Sequence, residues 1–587
     1  MSEEQKQTEA IAKAGLYILG MPAVAAFRLL KGRSWRLQIP TFIAGAIFFL
    51  LAGGEAIIRH GEQTGAAFYA LIWVSLFGLL GCAGAIINKL LKSPGDAATL
   101  HGSAQWGDPK RFKEWRVPAA APVAGGGLAL APLSGRERLE IPRAEIVQHA
   151  IVIGPPGSGK SRSIFIPAAA YAKACSIVAT DPKSELWRYT SGYHGRPVRF
   201  APTEPEASAC WNPIPDCKDE RVADLLAHAL VESGQTSRTD QFWLDNEVNL
   251  CAAIFSHVAH APEATLASAY AFLTSCGDFE TMVERLLGSP SQHARSCAGI
   301  LLMTDARIKG AVLPGVASKL KFLDDPKVKR FTSSSLTSFD FSVLKRMPAA
   351  IYWCLPERDI PRLRPLTSMF FTKLFDDLGG ESNPYGGRGS DARHAHKDEH
   401  GNVPVTVLAD EFANIGKVPN FDSVITLARS KNVALILGIQ SLAQLDLRYG
   451  HDAARVILDS CATKIILHGL DYASAEHVSR TLGDQTQVVD RKSVSRRDLF
   501  EPQTVTSHQT EHGRRLLQAN EIRQIGADQM IVISGNRRPL WLYKYHWDQE
   551  PCAASARALG EAHVTKFSMP ARKKKPELPP PLPPSSN

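Results

Sequence analysis

The sequence has 587 residues, which at roughly 150 residues per domain allows three or four units. Its hydrophobic content of 44% is ordinary for a globular protein, so we expect a large buried core. The formal net charge of +9 favours anionic partners, nucleic acid or acidic lipid, although only weakly. The ten cysteines include no Cys-x-x-Cys pair, which argues against a zinc site and a disulfide framework and for a reducing cytoplasm.

The N-terminal region is predicted to be a membrane anchor. Gly65 to Ile87 is a stretch of 23 residues without a charge, and Ile39 to Ile58 is interrupted only by Glu55. Each is long enough to cross a hydrocarbon layer of about 30 Å. Because only residues 59–64 separate them, the two segments predict a transmembrane helical hairpin. The alternative is a pair of buried helices in a soluble domain.

The distribution of basic residues predicts the orientation of this hairpin. Five of them flank its two outer ends, namely Lys31, Arg33, Arg36, Lys89 and Lys92. The turn between the spans holds only Arg59, so both ends are expected in the cytoplasm. A third apolar stretch, residues 14–27, is short and contains Pro22, which favours a position in the membrane interface over a third span.

The rest of the chain has the pattern of an α/β fold. Short apolar runs bounded by turn residues are typical of buried parallel strands, and they occur at 151–153, 176–179, 350–355, 405–409, 434–438 and 463–467. Between the second and third runs, residues 221–330 show helical spacing and predict an inserted all-α domain. The predicted division is an anchor (1–92), two parts of an α/β domain (93–220 and 331–550) around the insertion (221–330), and a flexible tail (551–587).

The strongest local signal is a phosphate-binding loop. The segment Gly154-Pro155-Pro156-Gly157-Ser158-Gly159-Lys160-Ser161 follows an apolar strand and opens a helical segment. Its glycines let backbone N–H groups wrap phosphates, aided by the dipole of the following helix. We expect Lys160 to reach the β- and γ-phosphates of ATP and Ser161 to ligate Mg²⁺.

Two further strands end in polar residues that suit the same site. The run 405–409 leads into Asp410 and Glu411. Beside a phosphate-binding loop, Asp410 is expected at the magnesium and Glu411 is expected to polarise the attacking water. The run 434–438 leads to Gln440, whose amide is placed to sense the γ-phosphate. Each pattern alone is also compatible with an ordinary strand end.

Taken together, these motifs resemble those of the type IV secretion coupling proteins, the TraG-like conjugation ATPases. The resemblance extends from the anchor to about residue 547. It rests on motifs in a fixed order: HGSAQW at 101–106, the phosphate-binding loop, DPKSEL at 181–186, Phe242-Trp243, Asp340-Phe-Ser, LADEFANIGKVP around Asp410, QSLAQL at 440–445 and RLLQANEI at 515–522. One departure is Ser184, which stands where the family usually has glycine.

The resemblance implies an architecture and a function. The fold would be a RecA-like P-loop ATPase domain with an inserted all-α domain, anchored in the bacterial inner membrane and assembled as a homo-hexamer. Such proteins recruit a relaxase–DNA complex or protein effectors and deliver them to a type IV secretion channel, using ATP and Mg²⁺. Arg429 stands where related proteins carry an arginine that reaches a neighbouring subunit's nucleotide. Two alternatives remain open: a DNA-translocating ring outside conjugation, and a docking receptor that binds nucleotide without motor activity.

Overall fold

The computed structural model describes residues 101–118, 126–134, 137–172, 174–195, 197–234, 241–333, 339–379, 402–495, 504–549 and 557–558. The expected membrane hairpin and the 14–27 segment lie outside these ranges, and so does the predicted tail (551–587) apart from residues 557–558. Within them, no helix combines the length and the apolar character that crossing a bilayer requires.

Strands occur throughout the described chain except in its helical middle part. In chain order they are β1 (Arg116–Pro118), β2 (Leu128–Ser134), β3 (Glu137–Ile141), β4 (Ala150–Ile153), β5 (Ser176–Thr180), β6 (Pro197–Phe200), β7 (Ala350–Trp353), β8 (Val405–Ala409), β9 (Val433–Ile439), β10 (Thr463–Leu467), β11 (Asp484–Ser495), β12 (Thr504–Arg515), β13 (Gln529–Ser534) and β14 (Leu540–Tyr543).

The α-helices, again in chain order, are α1 (Arg143–Ile146), α2 (Ile166–Tyr171), α3 (Glu185–Thr190), α4 (Glu220–Glu232), α5 (Gln241–Val258), α6 (Leu266–Ser275), α7 (Phe279–Leu287), α8 (Gln292–Leu302), α9 (Ala306–Leu320), α10 (Pro326–Phe331), α11 (Val343–Arg346), α12 (Ile360–Gly379), α13 (Phe421–Ala428), α14 (Leu442–Tyr449), α15 (His451–Ser460), α16 (Tyr472–Leu482) and α17 (Ala519–Arg523). A π-helical turn, Ser161–Phe165, precedes α2.

A nine-stranded sheet forms the centre of the fold, in the order β14-β13-β10-β4-β9-β8-β5-β7-β6. The seven strands from β10 to β6 are parallel, and β13 and β14 add an antiparallel edge. All six strands expected from the sequence are confirmed, as β4, β5, β7, β8, β9 and β10. The mixed α/β class with a large parallel sheet is therefore confirmed as well.

Both faces of this sheet are buried, which explains why its strands read as continuous apolar runs. Along β4, Ile151 and Ile153 pack into one hydrophobic cluster, together with the helical middle part of the chain. Ala150 and Val152 point to the opposite face and pack with β2, β3 and α2. The alternation follows from the two-residue period of a strand.

The stretch from α4 to α10 contains helices and no strand among its described residues. Most of these helices begin with a side-chain cap: for example, Asp219, Thr265, Asp278 and Ser291 each accept a hydrogen bond from a backbone N–H of the first turn. The long helix α12 joins this helical segment to the sheet, and Arg221 of α4 forms an ion pair with Asp376 of α12 at 2.5 Å.

The amino ends of β8 and β9 are tied together by one buried arginine. Arg143 Nη1 donates to Thr406 Oγ1 at 2.9 Å, and its Nη2 donates to the carbonyl oxygens of Val405 and Asn432 at 3.0 and 2.5 Å. Burial lowers the pKa of Arg143 to about 10, but the group stays charged at neutral pH. These bonds fix the two strands whose opposite ends carry the candidate site.

Two of the sequence motifs, 101–106 and 515–522, lie at the base of the β11–β12 hairpin. His101 N donates to Thr486 Oγ1 at 3.0 Å, and Thr486 Oγ1 donates to the carbonyl of Gly102 at 3.1 Å. Arg515, at the end of β12, donates to Glu476 of α16 at 3.0 Å. The 101–106 and 515–522 motifs thus hold the hairpin to the sheet domain.

Candidate functional site

The phosphate-binding loop and the polar strand ends meet at the carboxyl edge of the central sheet. In the register of the sheet Ile153 pairs with Ile439, and Ala409 pairs with Leu437, so the residues that follow β4, β8 and β9 emerge side by side. They line an open cleft of about 570 Å³. Such a crevice beyond the carboxyl ends of parallel strands is the usual ligand position in α/β folds.

The loop between β4 and α2 has the backbone that phosphate binding requires. Gly157 and Gly159 have φ values of +79° and +89°, which residues with a Cβ rarely adopt. The loop opens directly into the π-helical turn, and the first N–H groups of a helical segment are the ones that can bind a phosphate. Lys160 Nζ donates to the carbonyl of Gly154 at 2.7 Å, and burial lowers the pKa of this lysine.

Ser161 and Asp410 form the part of the cleft that suits a divalent cation. Ser161 Oγ donates to Asp410 Oδ2, while Asp410 Oδ1 is buried and has no hydrogen-bond partner. Burial raises the pKa of Asp410. Hydroxyl and carboxylate oxygens are ligands that Mg²⁺ prefers, so this pair fits the expected metal position.

Glu411 occupies a strained backbone position at the mouth of the cleft. Its φ of 58° lies in the left-handed region, which is costly for a residue with a Cβ and persists mainly where a functional arrangement requires it. Asn414 Nδ2 donates to Glu411 Oε2 at 2.7 Å, and Gln440 Nε2 donates to Glu411 Oε1 at 3.4 Å. The structure thus brings Gln440 and Glu411 together, with Asn414 as a partner that sequence reasoning missed.

The DPKSEL motif also reaches the cleft. Asp181 is buried, accepts a hydrogen bond from the backbone N–H of Trp187 at 2.7 Å, and has its pKa raised to about 6 by burial. Ser184 adopts a left-handed φ of 54° at the start of α3. Glycine takes this conformation without strain. Ser184 therefore keeps the backbone conformation that favours glycine, although it replaces the family's usual glycine.

Arg429 lies far from the cleft of its own chain. It is exposed in the turn before β9, at the amino edge of the sheet, whereas Gln440 follows the carboxyl end of the same strand. A strand of seven residues spans about 23 Å. The structure therefore does not place Arg429 with the other predicted site residues, and its expected role requires a neighbouring subunit.

Two basic residues join the cleft without any sequence signal. Lys544, which follows β14, donates to the carbonyl of Ser158 in the phosphate-binding loop at 2.7 Å, and burial lowers its pKa to about 8. Arg364 of α12 lines the cleft, and its buried Nε has no hydrogen-bond partner. Both come from segments far from the phosphate-binding loop in the chain.

The first turn of α12 borders both the candidate cleft and a second cavity. Pro361 lines the nucleotide-sized cleft on one side. On the other side it lines a cavity of about 730 Å³, together with Trp243 and Phe322 of the helical segment. Pro365, one turn further on, lies inside α12.

The strand order and the cleft define a P-loop nucleotide-binding fold of the RecA-like kind, in which one strand separates the loop-bearing strand from the strand ending in the acidic pair. Residues 121–571 match the family described as type IV secretory system conjugative DNA transfer. The chain belongs to this family of conjugative coupling proteins, which confirms the resemblance.

Known proteins agree with this assignment. The chain is 26% identical to the conjugal transfer protein TraG of Escherichia coli over 466 residues, covering 72% of this chain and 71% of TraG. It is 25% identical to protein VirD4 of Agrobacterium fabrum over 415 residues, covering 68% of this chain and 58% of VirD4.

Solved structures share the fold. The conjugative coupling protein TrwB lacking its N-terminal segment, in an unbound form, matches with a TM-score of 0.56 at 18% identity, covering 72% of this chain and 90% of TrwB. TrwB with ADP and Mg²⁺ matches with a TM-score of 0.55 at 17% identity, and the match covers 71% of this chain and 89% of TrwB.

Proposed function

We propose that this protein is an ATP-hydrolysing coupling protein that delivers relaxase-bound DNA, protein effectors or both to a type IV secretion channel. The observation that supports it most is the convergence of Lys160, Ser161, Asp410, Glu411 and Gln440 on one cleft, in a chain of the conjugative coupling family. TrwB, with the same fold, binds ADP with Mg²⁺ and a non-hydrolysable ATP analogue.

The proposed chemistry follows from the contacts in the cleft. The N–H groups of residues 157–161 and the Lys160 ammonium bind the phosphates, and Lys160 exchanges its bond to Gly154 for one to phosphate oxygen. Mg²⁺, held by Ser161 and Asp410, would withdraw charge from the phosphates. Glu411, held by Asn414 and Gln440, orients a water for in-line attack on the γ-phosphate and accepts its proton. Gln440 is suited to report the presence of that phosphate to α14.

The assembly is proposed to be a homo-hexamer anchored in the bacterial inner membrane through the 39–87 hairpin, with its bulk in the cytoplasm. The hexamer would complete each cleft with Arg429 of a neighbour, since Arg429 cannot reach its own cleft. Its cytoplasmic partners would be relaxase–DNA complexes or effectors, and its membrane partners would be components of the secretion channel.

A transfer assay tests the proposed function. In a donor that lacks its coupling protein but retains the matching channel and relaxase, the wild-type chain is expected to restore plasmid transfer. Lys160→Ala is expected to restore none, at equal abundance in the membrane. Full transfer by Lys160→Ala would support a docking receptor that needs no motor, and failure of the wild type with its cognate channel would contradict the proposal.

Nucleotide binding is expected to take up a proton near pH 8. Lys544 has a pKa lowered to about 8 in the free protein, and nearby phosphate charge should raise it. Because the bound state then has the higher pKa, ATP affinity should be unaffected by Lys544 well below pH 8 and should fall as pH rises through 8. Calorimetry in buffers of different ionisation enthalpy measures this uptake. Lys544→Met should abolish it, and persistence of the same uptake in the variant would contradict the assignment.

A further inference from the structure

A cluster of metal-binding side chains lies in the helical segment, outside the nucleotide cleft. Glu220 and Asp224 are one turn apart on α4, and His293 and Cys297 are one turn apart on α8. Since residues four apart share a helix face, each helix presents its pair to the other. We propose that Asp224, His293 and Cys297 bind a zinc-class divalent ion that links α4 to α8.

The distances between the three ligand atoms are those of a nearly assembled site. Asp224 Oδ1, His293 Nε2 and Cys297 Sγ all lie within 4.8 Å of one another. Nε2 is 2.9 Å from Oδ1 and 3.7 Å from Sγ. Ligand atoms of a tetrahedral zinc ion are roughly 3.5 Å apart, given bonds of about 2.0–2.3 Å. Small rotations of the side chains therefore suffice to admit the ion.

The fourth residue of the cluster is placed to orient the histidine when a metal is bound. Glu220 Oε2 lies 4.0 Å from His293 Nδ1, on the side of the ring away from Asp224 and Cys297. A metal-bound histidine commonly donates its second N–H to a carboxylate, which fixes the tautomer and the direction of the ring. Glu220 is thus a positioning residue, and the remaining coordination position is left for water, because Asp224 is about half exposed.

The chemistry of the ligands selects the class of ion. A thiolate, an imidazole and a carboxylate together favour zinc, cobalt or cadmium over Mg²⁺ or Ca²⁺, which prefer oxygen alone. Cysteine spacing gave no hint of the site, because its ligands come from two helices.

The ion would have a structural role. Arg221, between Glu220 and Asp224 on α4, already pairs with Asp376 of α12. A metal link from α4 to α8 would therefore join the helical segment to the helix that borders the nucleotide cleft. This role is independent of ATP hydrolysis, and the test below needs no nucleotide.

Titration of the metal-free full-length protein in detergent with Co²⁺ tests the proposal. The wild type is expected to bind one equivalent with a sulfur-to-cobalt charge-transfer band, which added Zn²⁺ removes. Cys297→Ala should lose the band, whereas Cys276→Ala, a buried cysteine of the same segment outside the cluster, should keep it. The exposed Glu220→Gln should keep the band but weaken Co²⁺ binding about 10- to 100-fold. Absence of the band in the wild type, or its survival in Cys297→Ala, would overturn the proposal.

Discussion

Glu411→Gln is expected to bind ATP with nearly wild-type affinity and to hydrolyse it about 10²- to 10⁴-fold more slowly, the usual contribution of a positioned general base. The amide keeps the size of the side chain, and its one oxygen can still accept a hydrogen bond from Asn414 or Gln440. It cannot accept the proton of the attacking water. We expect binding to be retained because the hydrogen bonds of Glu411 go to Asn414 and Gln440 and not to the loop that holds the phosphates.

Two measurements test this prediction. Steady-state phosphate release gives the rate of hydrolysis, and equilibrium binding of a fluorescent ATP analogue gives the affinity. Glu357→Gln is the matched control, since Glu357 also lines the cleft but is about half exposed and paired with Lys183 at 3.5 Å. It should hydrolyse ATP at close to the wild-type rate. Lys160→Ala should lose binding. Wild-type turnover by Glu411→Gln would refute the role assigned to Glu411.

Arg429→Ala is expected to bind ATP but to lose roughly 10³-fold or more in hydrolysis, the scale on which an arginine supplied by a neighbour stabilises phosphoryl transfer. The reason is geometric: Arg429 is exposed at the amino edge of the sheet, so it can meet only the cleft of another subunit. Lys431→Ala, in the same turn, is the control and should leave hydrolysis intact.

Assemblies that mix two variants can distinguish a catalytic role of Arg429 from a structural role. Each cleft needs Lys160 from its own chain and Arg429 from the next, so Arg429→Ala mixed with Lys160→Ala regenerates some complete clefts. Activity should therefore appear in the mixture although neither variant is active alone. No recovery at any ratio, with mixed assembly verified by crosslinking of tagged chains, would rule out a shared cleft.

The sequence predicted a strand where the residues of the segment directly reflect its burial. The strands buried on both faces carry uninterrupted apolar runs, so β4, β5 and β7 to β10 were predicted. The strands of the central sheet that were missed, β6, β13 and β14, lie at or next to its edges. β6 contains Pro197 and Arg199, and β14 alternates buried with exposed residues, so neither presents a continuous apolar run.

The candidate site could likewise be predicted only where its residues belong to a local sequence pattern. The loop from Gly154, the Asp410–Glu411 pair and Gln440 each follow a strand, and the parallel sheet brings them together at one edge. Lys544 and Arg364 are different, because a single basic residue after an edge strand or within a helix has no pattern of its own. Their place in the cleft depends on the path of the whole chain, which local spacing does not encode.

The shared wall formed by α12 has a mechanical consequence. Pro361 lines both the nucleotide cleft and the cavity of the helical segment, so a movement of this residue alters the lining of both spaces. Pro365 has no N–H to bond the carbonyl of Pro361, which leaves the first turn of α12 easier to bend than the rest of the helix. A displacement of that turn toward bound phosphate would therefore also be felt in the helical segment.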